Sequence, residues 1–107
     1  MPYISKERRD NLDKSIIDLS KAIKQQLDQD VHTDLTPEQL LELSGDLNYC
    51  VSRMCAKLMG SASYKKIAIL TGVLENIKQE LYRRVAEPYE NKKIQENGDV
   101  EEYFKLS

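Results

Sequence analysis

The chain has one histidine and two cysteines in 107 residues, and that scarcity narrows its chemistry at once. The Ser–His and Cys–His arrangements of nucleophilic catalysis place an imidazole beside the nucleophile. The sole imidazole, His32, lies in a polar connector, where it reads as a solvated side chain. Cys50 and Cys55 are five positions apart in one helical stretch, which points them in different directions and holds them too far apart for an unstrained disulfide. They match neither a CxxC redox pair nor a zinc pattern, so they read as small apolar residues in a reducing compartment. Four isolated glycines form neither the GxxxxGK[ST] phosphate loop nor the GxGxxG dinucleotide turn.

Long apolar runs and positive charge are scarce as well. No stretch approaches the ~18 consecutive apolar residues of a membrane span. The charged segment Ser5–Asp10 stands where a signal peptide carries its apolar core, so neither membrane insertion nor export is expected. The expected location is the cytoplasm. Lys and Arg number 16 against 18 Asp and Glu, for a net charge of −2. A duplex-DNA binder uses a basic excess to displace counterions, so duplex nucleic acid is not an expected partner.

What is present is helical periodicity. Leu12, Ile16, Leu19, Ile23 and Leu27 recur at steps of three and four, widened by Ile17 and Ala22. Ser5 is placed to cap a short turn over Lys6–Asn11 and Asp13 to cap a main helix over about 14–28. Thr36-Pro37-Glu38-Gln39 combines an N-cap, a proline at the first helical position and a returning capping-box side chain. Leu40, Leu43, Leu47, Val51, Met54 and Leu58 then predict a helix over 37–59, stopped by Gly60. Within it, Ser44-Gly45 either admits a close neighbour or bends the axis. Ser63 caps a third helix over 64–87 with the stripe Ile67, Leu70, Leu74, Ile77, Leu81 and Val85. Pro88 ends or kinks it, and Asn97-Gly98 marks a turn.

The expected fold is all-α: a small antiparallel three-helix bundle, its second and third helices forming a hairpin through Gly60–Ser63, with a short irregular C-terminal tail. Residues 1–96 form the helical domain and 97–107 an acidic tail. An apolar fraction of 40% beside 32% charged residues gives narrow stripes and wide wet faces. At this length the core is thin, and apolar surface is left for a second copy, so a homo-oligomer is expected.

The acids supply the least favoured reading, a metal-dependent nucleotide hydrolase. Asp10 and Asp13, Glu38 and Glu42, and Glu87 and Glu90 are each about one helical turn apart, the spacing of helical metal-dependent nucleotide hydrolases. Yet the first two pairs stand at helix starts, where acids act as caps and dipole partners. No ExxH di-iron signature occurs. Neither a cofactor nor a metal ligand set is assigned, and an enzyme ranks last.

Cations beside tyrosines are the remaining chemistry. Tyr82-Arg83-Arg84 closes the third helix, Tyr64-Lys65-Lys66 opens it, and Tyr49 and Arg53 lie one turn apart on the second. A guanidinium binds phosphate or carboxylate with two parallel hydrogen bonds, and a phenol ring stacks on a base. Arg83 and Arg84 point roughly 100° apart, so one of them at a time faces a given pocket. Arg83, Arg84, Tyr82, Tyr49 and Arg53 are therefore the candidate ligand-binding residues for a small anionic or nucleotide ligand. The plainer alternative is an ion-pair network with tyrosines edging a small core.

Met1-Pro2-Tyr3-Ile4, Gly45-Asp46-Leu47-Asn48-Tyr49, Tyr82-Arg83-Arg84-Val85 with Pro88-Tyr89-Glu90, and Glu96-Asn97-Gly98-Asp99-Val100 carry a further signal. In these segments the chain resembles a family of short uncharacterised proteins of tailed bacteriophages and prophages, nearly end to end. It departs by adding Glu101–Ser107 where members tend to stop. The resemblance implies a bacterial host cytoplasm and an accessory or counter-defence role. Two readings follow: a non-enzymatic module capturing an anionic nucleotide-type ligand, or a protein–protein inhibitor or adaptor of a host factor.

Overall fold

A computed structural model describes residues 2–31 and 34–107. Met1 of the opening motif and the connector histidine His32 lie outside the described residues. The described chain is helical, with no strand: α1 (Lys6–Lys24), α2 (Pro37–Glu42), α3 (Ser44–Met59), α4 (Tyr64–Leu81), a π turn (Tyr82–Ala86), α5 (Glu87–Asn97) and α6 (Glu101–Leu106). It divides into two compact units, one of Tyr3–Ile67 and one carrying Ala68–Ser107.

In the first unit, α1 is a single helix rather than a turn followed by a helix capped at Asp13. Ser5, in extended backbone, accepts from the Arg8 amide at 3.4 Å and starts the helix directly. Asp13 therefore lies inside the helix. Lys6–Asp10 and Lys14–Asp18 pairs at 2.9 and 2.8 Å brace the exposed side one turn at a time. The helix ends at Lys24, before the expected 28, and Gln26 and Leu27 close short turns onto Ile23 and Lys24. Those turns tuck Leu27 inward, leaving it 7% exposed.

The Thr36 capping box is complete. The Thr36 hydroxyl accepts from the Gln39 amide at 3.2 Å, and Gln39 Oε1 accepts from the Thr36 amide at 2.9 Å. The helix it starts is interrupted at Leu43, where one continuous element over 37–59 was expected. The Ser44 hydroxyl donates to the Leu41 carbonyl at 2.7 Å, drawing on a helical acceptor, and Gly45 adds little helix propensity to oppose the break. The two small residues thus stand at an interruption of the helix. A Cβ at Gly45 would meet nothing within 4 Å, so the glycine does not serve a close helix contact. The break turns Leu43 inward, 2% exposed. Gly60 then ends α3 at φ 70°, a backbone that other residues rarely adopt. Ser63 accepts from the Lys66 amide, and Lys66 Nζ donates to the Met59 and Ser61 carbonyls, which fastens the start of α4 to the end of α3.

In the second unit, Pro88 does not end the helical backbone. An α-helical turn would drive its ring into the carbonyl of residue 84. The chain instead widens over Tyr82–Ala86, where the Glu87 amide reaches back five residues to the Tyr82 carbonyl. Helical backbone therefore runs from Tyr64 to Asn97. Gly98, at φ 91°, stops it. The tail is not irregular: Val100 is extended and Glu101–Leu106 forms a further short helix.

Leu27 and Leu43 are the only buried apolar side chains among the described residues. Both belong to the first unit. The stripes predicted to form a core are instead open, with Ile16 58%, Ile77 54%, Leu81 64% and Val85 60% exposed. Two leucines are too few to hold a chain of this length against its conformational entropy.

Candidate functional site

The sequence-predicted residues fall into two groups, one in each unit. On α3, Tyr49 and Arg53 meet one turn apart, the guanidinium carbon 5.8 Å from the ring centroid, a cation–π distance. Tyr49 also borders a groove of about 310 Å³ within the first unit. Leu19, Ala22 and Ile23 of α1, with Gln26 in the turn after it, form one wall, and Gly45, Asp46 and Cys50 of α3 form the other. Its one charged lining residue is acidic, which opposes an anion. Cys50 and Cys55 are free and half-buried.

In the second unit, Tyr82, Arg83 and Arg84 occupy the π turn itself. Arg83 is engaged: its Nε donates to Glu80 Oε1 at 2.9 Å and its Nη2 donates to Glu80 Oε2 at 3.1 Å. This is the two-pronged geometry expected for a ligand carboxylate or phosphate, satisfied from within the helix. Tyr82 is engaged as well, its hydroxyl donating to both Glu90 carboxylate oxygens at 3.1 Å. That hydrogen bond, and the negative charge of Glu90 behind it, hold the Tyr82 phenol above its usual range. Arg84 is exposed and makes no ion pair or hydrogen bond through its side chain among the described residues.

Beside this turn lies a feature that the residue-type search missed. Lys78, Leu81, Tyr82, Val85, Ala86 and Tyr89 line an open shelf of about 480 Å³, walled almost wholly by carbon. The π turn builds it. Spreading the turn beyond 3.6 residues aligns 78, 82 and 86 in one row and 81, 85 and 89 in another, each at steps of four. The sequence signal was a proline inside a stripe that resumes after it.

The paired acids do not converge. Asp10 is held by Lys6, Glu90 receives Tyr82, and Glu38 stands in the first turn of α2. Among the described residues, no group of three or more His, Cys, Asp or Glu is placed to hold a metal ion. No described helix is long and apolar enough to cross a membrane.

No curated protein and no solved structure matches the chain. One family does, over residues 1–100, which leaves only the last seven positions outside it. The chain belongs to the family described as Domain of unknown function (DUF6899).

Proposed function

We propose that the protein is a non-enzymatic helical interaction module, an inhibitor or adaptor that works by laying apolar helix faces against another polypeptide. The observation that carries this reading is exposure. The stripe residues are open, while Arg83 and Tyr82, the polar groups best suited to a small ligand, are occupied by Glu80 and Glu90. Apolar surface on this scale is the usual mark of a protein-contact site. On this reading the stripes close into the antiparallel three-helix bundle and the homo-oligomer expected from their spacing. The likeness to phage and prophage proteins supports a counter-defence or accessory setting in a bacterial cytoplasm, with a host factor as target.

Affinity capture from bacterial lysate tests the reading. Leu41→Asp and Leu58→Asp alter side chains that are 75% and 81% exposed, so neither disturbs the two buried leucines. Loss of a captured protein in one of these variants supports the module; capture unchanged in both, or no capture by the parent chain, counts against it. Removal of Glu101–Ser107 asks the same of the tail.

A second reading, capture of an anionic nucleotide-type ligand, is favoured by one observation: Arg84 offers an exposed guanidinium with no ion pair or side-chain hydrogen bond among the described residues. A ligand that binds only the folded chain raises its melting temperature. Cyclic and linear nucleotides should then stabilise the parent chain and not Arg84→Ala. No shift with any of them would remove this reading.

A further inference from the structure

The open face of the helix running from Tyr64 to Asn97 requires an occupant, and three observations bear on its identity. The first is area. The chain exposes 9745 Å², where a compact protein of its mass shows about 6,100 Å² and two separate globules of the units' sizes about 7,400 Å². An excess of this size matches what an obligate protein interface covers rather than a transient contact. The second is timing. With Leu27 and Leu43 the only buried apolar side chains among the described residues, the cover must be present whenever the chain folds, and a second copy is supplied in equal number with every copy made.

The third is charge. Lys65 and Lys66 stand in the first turn of α4, at the positive pole of the helix. Lys66 Nζ is tied to Met59 and Ser61, so Lys65 is the freer charge. The other end carries the negative pole, with Asp99 and Glu102 just beyond it; Glu96 and Glu101 are paired with Lys93 and Lys105 and add no net charge. Parallel pairing would bring like ends together, whereas antiparallel pairing brings each basic end to an acidic one. The midpoint between Tyr64 and Asn97 falls between Glu80 and Leu81, within one residue of the Leu81–Tyr82 centre of the apolar shelf.

We infer that this helix pairs antiparallel with the same helix of a second copy, about a two-fold axis near Leu81 and Tyr82. The inference rests on the reading that the apolar faces are covered by protein, and goes beyond it by naming the partner, the face and the register. Leu81 then meets Tyr82 of the second copy, Leu74 meets its Tyr89, and Lys78 meets its Val85. The π turn is what makes the face continuous, since it carries the row 81, 85 and 89 past Pro88.

Sedimentation of the full chain with cysteine cross-linking tests this, in a background carrying Cys50→Ala and Cys55→Ala that itself sediments as the parent does. The parent should sediment at twice the chain mass. On oxidation, Leu81→Cys should link to its own copy and Leu70→Cys should not. Leu74→Cys mixed with Tyr89→Cys should give the mixed pair. Leu81→Asp should weaken the dimer by about 30-fold or more, the scale of a hot-spot loss, while Leu58→Asp leaves it intact. If Leu81→Asp fails to fold, the cross-links decide. A dimer in which Leu70→Cys links to itself as readily as Leu81→Cys, or in which none of the pairs links, overturns the face and register while leaving a protein-covered surface in place. A chain that stays monomeric and melts cooperatively at every concentration overturns both.

Discussion

The two units solve the same shortage of apolar residues in different ways. The first, Tyr3–Ile67, breaks its helices and uses the breaks. The turns after Lys24 and the interruption at Leu43 each fold one leucine inward, and these two are the burial the described chain possesses. The second, Ala68–Ser107, keeps its long helix unbroken through Pro88 by widening one turn, and buries no apolar side chain. Continuity preserves an apolar face but leaves it uncovered. An interrupted helix can bury its own residues, whereas an uninterrupted one presents them to something else.

Leu43→Ala should break the comparison most. The side chain is 2% exposed, so truncation removes nearly all of its burial. The range for truncating a buried leucine places the cost at about 2–5 kcal/mol. Ile69→Ala, at 57% exposure in the second unit, should cost far less. Urea unfolding followed by circular dichroism measures both. Equal losses would erase the distinction between the units.

Thr36→Ala comes next. It removes one side of the capping box that sets where α2 begins and hence where Leu43 lands. The expected loss is about 1 kcal/mol, read from the same urea midpoints. Thr36→Ser should recover most of it.

That box was legible in the sequence because its four residues act on one another locally, as were the Ser63 cap and the Gly60 stop. Helix class was equally plain from the three-and-four spacing of Leu12 through Leu27 and Ile67 through Val85. The departures share one cause, a choice between two local hydrogen-bond solutions that periodicity does not rank. Leu43 fits the stripe perfectly well as mid-helix, and only the Ser44 hydroxyl reaching the Leu41 carbonyl interrupts it. Pro88 announces a lost donor but not that the chain widens a turn to keep its helix. The candidate site divides the same way. Tyr49 over Arg53 was readable as one helical turn, whereas Glu80 occupying Arg83 and Glu90 occupying Tyr82 depend on how the π turn aims those side chains.

Arg83→Ala should have a smaller effect, because its pair with Glu80 is partly solvated, the arginine 54% exposed and the carboxylate 17%. Pairs of this kind are worth about 0.2–1 kcal/mol. The informative contrast is with salt. Raising ionic strength should narrow the gap between parent and variant, since screening removes what the pair contributes. A gap insensitive to salt would point to lost packing of the arginine stem.

The smallest effect tests the π turn most directly. Tyr82 donates to a carboxylate eight positions away across the widened turn, and its phenol is held above the usual tyrosine range by that bond. A raised value in the folded chain means that the proton is retained there longer than in the unfolded one. The stabilising contribution is therefore complete below about pH 10, the ordinary tyrosine value, and is lost as pH rises through the folded value. Among the chain's six tyrosines, Tyr82 should ionise late in an ultraviolet titration. Tyr82→Phe should delete that late step, and Glu90→Gln should move it down by removing the charge that opposes phenolate. Pro88→Ala supplies the structural half of the test. Without the ring to accommodate, the turn is free to tighten, α5 rotates about a quarter turn against α4, and Glu90 leaves the Tyr82 hydroxyl. A late step that survives Pro88→Ala unchanged would show that the bond does not depend on the wide turn, and the row of 81, 85 and 89 would then need another explanation.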